Sequence, residues 1–468
     1  MASLAKVESV LVAEPPKAAA PFSADPAHPA VPGALGPATL FGFSLGMVGD
    51  RIFRDAPALL LLIFMTNYLG VPPAMAGVAI FVPKLLIAFV DPMVGMLSDR
   101  LQTRWGRRRP LMFVGALLAG ASIVLFFHVP RFAAPLAQAL YMSFVVFVGF
   151  AGYSLNSVPY LTMASEVAAN DEERSRVMAW RVAFMAIGLS ISAYAGAVVE
   201  ALGGGVQGYA AMSWLYAGIC VLTMLATVAV SGRMTARAAD SVQLSLLQQF
   251  RLVSANRRFL RLLLVGASQK VAEGVGYGSF AYFCIYVVEQ PLSGIGLVVM
   301  SSVAGMVITQ PLWLKVLKRL PLTTVYAIGV AGWCLNLVLW LAMKGQAQWW
   351  LIPLGLESGF AAGGFLMVTL TMLSNTLAAD AAATGLNREG IYSGFWLAAE
   401  KLAFAFGALI VGVMLSLFGF VESSGGASVA QTPTAVLGIA FTYCGINMLI
   451  YIASVFAMRR VARFETAT

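Results

Sequence analysis

Residues 77–109 read GVAIFVPKLLIAFVDPMVGMLSDRLQTRWGRRR. The first two thirds form an apolar run. With the residues just before it, at 74–76, the run is long enough to cross the hydrocarbon core as a helix, which takes about 20 residues. The run stops at five arginines, Arg100, Arg104, Arg107, Arg108 and Arg109. Arginines in a short loop hold that end of a membrane helix on the cytoplasmic side. Two ionisable residues, Lys84 and Asp91, lie inside the run, where a charge needs a reason.

Working outward, the pattern repeats. Of 468 residues, 60% are hydrophobic and 11% charged, against about 25% charged in soluble domains. Predicted spans fall at 38–69, 74–98, 110–130, 135–168, 176–203 and 208–232, then at 259–287, 292–316, 322–343, 348–378, 390–418 and 433–458. Lipid cannot satisfy backbone polar groups, so each span is a helix; the period-2 alternation of a membrane barrel is absent. The fold class expected is an all-α membrane protein of twelve transmembrane helices in two pseudo-repeated six-helix bundles. The domains are a disordered cytoplasmic tail 1–37, rich in Ala and Pro and without a signal-peptide layout, an N-terminal bundle 38–232, a cytoplasmic linker 233–258, a C-terminal bundle 259–458 and a tail 459–468.

Loops after the even-numbered spans carry the basic residues: the arginine cluster above, then Arg174, Arg233, Arg237, Arg251, Lys315, Lys318, Arg319 and Arg388. The alternate loops carry little beyond Arg131 and Lys344. Both termini are therefore expected in the cytoplasm. The net charge of +9 is spent on topology, and nucleic acid is not an expected partner. The four cysteines (Cys220, Cys284, Cys334, Cys444) sit inside spans without CxxC spacing, so neither disulfide nor zinc site is indicated, and no metal or cofactor is expected. A weak internal repeat joins the halves. Pro92 precedes Arg100 by eight residues as Pro311 precedes Arg319, and Glu166 precedes Arg174 as Asp380 precedes Arg388. Duplicated halves around a central site are a common transporter plan.

Eleven ionisable residues fall within spans: Asp50, Arg51, Arg54, Asp55, Lys84, Asp91, Lys270, Glu273, Glu357, Glu400 and Lys401. Facing lipid at ~2.5–3.5 kcal/mol each, they would cost roughly 30 kcal/mol, more than the about 5–15 kcal/mol by which a domain is stable. They must pair or face a watered cavity. Helical spacing offers the pairs Asp50–Arg54, Arg51–Asp55 and Lys270–Glu273, and places Lys84 and Asp91 on one face two turns apart. Structural ion pairing is the plain reading of any one pair. Their convergence near the bilayer centre is the mark of a substrate or ion site.

The string Asp91-Pro92 to Asp99-Arg100, followed by Thr103-Arg104-Trp105-Gly106-Arg107-Arg108-Arg109-Pro110, resembles the signature of the glycoside–pentoside–hexuronide:cation symporter family of the major facilitator superfamily. Gly49-Asp50, Val158-Pro159-Tyr160 with Glu166 and Glu173-Arg174, and Thr384-Gly385 with Arg388-Glu389-Gly390 and Lys401 extend the resemblance over nearly all the chain after residue 38. It implies a secondary transporter working by alternating access, with Asp50, Arg51, Trp180, Arg181 and Lys401 at a sugar site and Asp91, Ser154 and Ser157 at the coupling-ion site. It also implies a cytoplasmic gate of Gly95, Asp99, Arg100, Gly106, Arg107, Arg108, Arg388 and Glu389, in which Gly95 permits close helix approach. Ile87 and Ser157 stand where sodium-coupled members carry acids, and Val90 where they often carry Asn. Proton coupling through Asp91, or uncoupled transport, is therefore expected ahead of sodium. Related branches carry lysophospholipids and other amphiphiles, and Phe144, Phe147 and Phe150 would suit an acyl chain. A membrane scaffold or sensor that transports nothing is the remaining class. The partners expected are a small-molecule substrate, H+ rather than Na+, and the lipid bilayer. The protein is expected as a monomer in a bacterial inner membrane.

Gly42-Phe43-Ser44-Leu45-Gly46 fits the GxSxG nucleophile pattern, but it lies within a predicted span and no His is nearby. The same residues fit GxxxG, which lets membrane helices pack closely. Gly203-Gly204-Gly205 lacks the Lys-Ser/Thr of a phosphate loop. No enzyme is expected.

Overall fold

The computed structural model of the protein describes residues 36–101, 103–130, 132–166, 171–232, 246–384, 388–426 and 429–462. Nearly all of the 1–37 tail, half of the 233–258 linker, and Arg131, Arg233, Arg237 and Gly385 lie outside them.

Among the described residues there are twelve membrane-length helical rods. In the N-terminal half, α1 comprises Pro37–Ser44 and Gly46–Asn67, α2 Pro73–Arg100, α3 Arg109–Phe127, α4 Pro135–Glu166, α5 Asp171–Ala193 with Ala195–Ala201, and α6 Gly205–Ser231. In the other half, α7 is Arg257–Tyr282 prolonged by a wide turn Phe283–Val288, and α8 is Ser293–Leu317. Next come α9 Leu322–Leu341, α10 Leu351–Thr384 and α11 Glu389–Leu417. Finally, α12 comprises Pro433–Ala440 and Asn447–Ala462 joined by a second wide turn, Phe441–Ile446. Eleven are long and apolar enough to cross a membrane by composition alone; α1 is outside that set because its middle carries Asp50, Arg51, Arg54 and Asp55. Prolines open several rods, where a missing N–H is harmless. Asn256 caps α7 by accepting from Phe259 N at 3.0 Å. The rods outrun the predicted spans at the basic ends: α10 reaches Thr384 and α12 Ala462. Hydropathy marks where a helix leaves lipid, not where it stops. For the same reason part of the predicted linker is a helix of its own, Leu246–Ala255.

The packing reveals the duplication more clearly than the sequence does. In the first half α1 packs on α5 and α6, α4 on α2 and α3, and α3 on α6. In the second, α7 packs on α11 and α12, α10 on α8 and α9, and α9 on α12. Each pairing recurs six helices later. The contacts between halves obey the same two-fold: α2 with α11, α5 with α8, and α1 with α7. Glycine allows the closest of these. A Cβ at Gly77 of α2 would lie 2.9 Å from Ala408 O and 3.3 Å from Gly412 Cα of α11. Gly42 and Gly46 meet Val230 and Thr227 of α6 in the same way, so GxSxG here is a packing motif, with Ser44 buried inside it.

At the end of the molecule that holds Asn67, the halves are stitched together. Thr66 and Tyr282 share a hydrogen bond of 2.7 Å, and Asn67 Nδ2 donates to Tyr286 Oη at 2.7 Å. The segment before α12 adds backbone bonds: Ser423 N donates to Thr66 O, Gly425 N to Tyr68 O and Gly426 N to Asn67 O, at 2.9–3.0 Å. Toward the Arg100 end the halves part. Ring contacts join Phe81 to Phe406, and Lys84 lies over Phe404. From there α2 runs seven residues, about 10 Å, to Asp91, while α11 runs three, about 4.5 Å, to Lys401. A Cβ at Gly390 or Gly394 meets nothing within 4 Å, and one at Gly95 meets only Val158 at 3.9 Å. The close approach expected at Gly95 is therefore not made: α2 and α11 have already splayed there.

Removing both stitching hydroxyls (Tyr282→Phe with Tyr286→Phe) should loosen only the Asn67 end. A cysteine placed at Leu69, half-buried at that end, should become several-fold more reactive to a polar maleimide in the double variant, with folding unchanged by circular dichroism.

Candidate functional site

Three of the four charges on α1 form one cluster, and the fourth, Asp50, turns to another helix. Asp55 is fully buried and is shared by two arginines, accepting from Arg54 Nε at 2.9 Å and facing Arg51 Nη1 at 3.4 Å. The Arg51–Asp55 pair is the one that i,i+4 spacing foresees. The expected Asp50–Arg54 pair is not made, although its spacing is the same. Asp50 instead accepts from Tyr153 Oη of α4 at 2.7 Å, and Arg54 turns toward α11, its guanidinium 6.0 Å from the Phe404 ring centre. Spacing offers a partner; the groups on adjacent helices decide whether it is taken. Arg51 also touches Met185 Sδ of α5, and its buried Nε has no partner.

On α2 the expected common face of Lys84 and Asp91 is divided between two environments. Asp91 accepts from Lys401 Nζ of α11 at 2.6 Å and from Ser154 Oγ of α4. Lys84 stands about 10 Å away along the helix, over the rings of Phe150 (4.8 Å) and Phe404 (5.9 Å). Its contacts are cation–π, and it makes no ion pair among the described residues. Lys270 and Glu273 of α7 pair at 2.7 Å as spacing predicts, and Glu400 lies within electrostatic reach of Lys270. Glu357, expected in a buried charge pair, has no cation partner among the described residues: it lies on α10 beside Asn336 of α9, and its Oε2 is unpartnered. It belongs to the α9–α10 contact, away from the central band.

The predicted sugar residues do not all converge. Asp50 and Arg51 face the interior between α1, α4 and α5. Arg181 lies buried 4.6 Å over the Tyr160 ring, one Nη near Met47 Sδ at 3.4 Å and the other without a partner. Trp180, next in sequence, turns to a different side, stacked on Phe184 and edge-on to Phe41. Lys401 is drawn to Asp91. Ser157 Oγ is buried and unpartnered, while Ser154 holds Asp91. At the Arg100 end, Arg100 and Arg107 are exposed, Gly106 adopts φ +93° in a turn where glycine fits, Arg108 is buried and Arg388 half-buried. The side chains of Asp99 and Glu389 lie outside the described residues.

Above the charged band, toward Asn67, is a cavity of about 20 Å3, with room for about one water. Pro57 and Leu61 of α1, Lys84, Phe150, Tyr277 of α7 and Phe404 are among its walls. Lys84 is its single charged wall. The band below it joins α1, α2, α4, α5, α7 and α11. Sequence reasoning missed Tyr153, Tyr160, Tyr277 and Phe404, which hold or cover the charges. The one available signal was the run of polar residues Tyr153, Ser154, Asn156, Ser157 and Tyr160, which follows the apolar stretch 144–152 of α4. The arrangement can hydrogen-bond a polar solute and exchange ion partners. No group of three or more His, Cys, Asp or Glu suited to a metal occurs among the described residues.

Residues 42–462 match the family described as MFS/sugar transport protein. The chain belongs to that family. It is an integral membrane transporter and not an enzyme. Among relatives of this MFS protein are the putative glycoside/cation symporter YagG of Escherichia coli (strain K12), 24% identical and aligned over 91% of this chain and 92% of the relative, and the glucuronide carrier protein homolog of the same strain, 25% identical over 88% and 91%. Its fold is also like two solved transporters. A bacterial homologue of the human lysosomal transporter Spinster, in an inward-facing and unoccupied conformation, has TM-score 0.64 and 14% identity, covering 91% of this chain and 95% of that one. The nucleoside transporter NupG has TM-score 0.62 and 14% identity over 90% and 99%.

Asp55→Asn leaves two arginines without their shared carboxylate. The expected loss is about 3 kcal/mol, the low end for breaking a buried pair because Arg54 keeps partial exposure, read as a clearly lower unfolding temperature in detergent. Asp50→Asn, which can keep the Tyr153 bond, should leave that temperature nearly unchanged while reducing uptake at least tenfold.

Proposed function

We propose that this MFS protein is a symporter that couples entry of a sugar-like solute to a proton by alternating access. The observation that carries the reading is the Asp91–Lys401 pair, 2.6 Å long. It joins helices of opposite halves at the level where those halves part, so any change in Asp91's charge acts directly on the tie between them. The names of the relatives, glycoside/cation symporter and glucuronide carrier, support a sugar-like substrate.

The chemistry at Asp91 favours a proton. A hard metal cation is held by several oxygens. Here one carboxylate oxygen is occupied by an ammonium and the other by Ser154, and Ile87 and Val90 of the same helix add no side-chain oxygen. Protonation needs no coordination sphere. It neutralises Asp91, frees Lys401 and removes the ionic tie between α2 and α11. Lys401 then becomes available to substrate hydroxyls alongside Asp50 and Arg51. The moving units are the bundles 38–232 and 259–458, joined through 233–258. With the arginine-rich end in the cytoplasm, the stitched Asn67 end is periplasmic and the splayed end opens inward. Gly95, Asp99, Arg100, Gly106, Arg107, Arg108, Arg388 and Glu389 gate that mouth, and the protein works as a monomer in the inner membrane.

In proteoliposomes, an inward proton gradient should drive concentrative uptake whether or not sodium is present, and a strict sodium requirement would sink the reading. Asp91→Asn should abolish accumulation against a gradient but keep downhill exchange.

A further inference from the structure

We infer that Glu400 of α11 is a second proton-binding residue, distinct from Asp91. The inference rests on the proton-coupled reading and adds a carboxylate to it.

Glu400 precedes Lys401 in the chain, and the two side chains serve different helices. Lys401 reaches Asp91 of α2. Glu400 faces α7, where Lys270 and Glu273 lie within its electrostatic reach, and Arg54 of α1 acts on it from the opposite half. Both of these cations are already engaged, Lys270 by Glu273 at 2.7 Å and Arg54 by Asp55 at 2.9 Å. Among the described residues Glu400 makes no ion pair of its own. The other helices packed on α11 do not change this balance. From α2 come Asp91, taken by Lys401, and Lys84, which stands over Phe404. The stretch of α12 against α11 brings only the neutral Tyr443 and Cys444, and the helix Leu246–Ala255 brings Arg251, which is exposed. Lys270 is therefore one ammonium between two carboxylates. A charge inside the membrane needs a partner, and the second carboxylate around a single cation has none of its own. A proton supplies it.

The surroundings of Glu400 suit a group that gains and loses a proton. Trp396, one turn earlier on the same helix, donates its ring N–H to Glu400. The donor is fixed, because Trp396 is buried with its ring pressed on Gly266 of α7, where a side chain would collide with it. A neutral donor serves a carboxyl in either protonation state, since an acceptor oxygen remains in both. Asp91 differs, because its ammonium partner is released when it is protonated. Glu400 is half-buried, and Lys401 beside it and Gly394 before it are exposed. They lie where α2 and α11 part, so water of the mouth gives and takes the proton. Ionised, Glu400 attracts Arg54 across the seam between the halves; protonated, it does not. A proton at Glu400 thus bears on the contacts of α1 as a proton at Asp91 bears on those of α2.

Infrared difference spectroscopy of the purified full-length protein, swept across the pH range in which it transports, reads the two acids separately. The wild type should show two carboxylic C=O bands that appear and vanish within that range. Asp91→Asn should remove one and Glu400→Gln the other, and Glu400→Asp should move the second band without abolishing it. Glu273→Gln leaves Lys270 to Glu400 alone. It should shift the loss of the Glu400 band toward acid by at least tenfold in proton concentration. Circular dichroism and the unfolding temperature establish that each variant is folded. Bands unchanged by Glu400→Gln, or a Glu400 band that Glu273→Gln leaves unmoved, overturn the inference, and proton binding at Asp91 stands if Asp91→Asn still removes its own band. Spectra in which no band depends on either residue overturn both.

Discussion

A charged side chain in hydrocarbon is tolerated only with a partner or with water, and the interior of this protein is organised around that requirement. Within the central band, partners come from a neighbouring turn, from an adjacent helix of the same half, or from the opposite half. The three sources have different consequences. Arg51–Asp55 and Lys270–Glu273 lie within single helices and remain intact however the halves move. Asp50–Tyr153 joins α1 to α4 and fixes packing inside one bundle. Asp91–Lys401 crosses between bundles, so it is the pair that a change of conformation must alter.

The position of that pair along the molecule gives it leverage. Above it, glycine contacts such as Gly77 with Gly412 bring α2 and α11 to backbone contact, and hydrogen bonds around Thr66, Asn67 and Tyr282 close the Asn67 end. Below it, the same helices stand apart. The lysine side chain spans the start of the gap, its Nζ 2.6 Å from Asp91. The tie therefore sits where the splay begins, between the closed and the open stretches of the α2–α11 seam.

Much of this is legible in the sequence. The number of spans, the two halves and the family signature follow from hydropathy, loop arginines and the Asp91 to Arg109 string. Within the site, the pairs that sequence could see are those made along one helix, because i,i+3 and i,i+4 spacing is a geometric fact of the helix itself. The same rule misled at Asp50 and Arg54, since it knows nothing of Tyr153 or Phe404 on other helices. Lys84 and Asp91 share a face by spacing, yet the splay of α11 presents a ring to one and an ammonium to the other. Partners that depend on how helices cross, such as Lys401 for Asp91, carry no local signal.

The central claim is that Asp91 and Lys401 act as one unit across the two bundles. A double-mutant cycle tests it directly, with Asp91→Asn, Lys401→Gln and the double variant compared in the rate of downhill exchange and in the rate of maleimide labelling of a cysteine at Gly394. The account predicts strong non-additivity: the double variant should be no worse than either single one, and all three should label differently from the wild type. Effects that simply add would show that the two residues act independently, and would contradict the account.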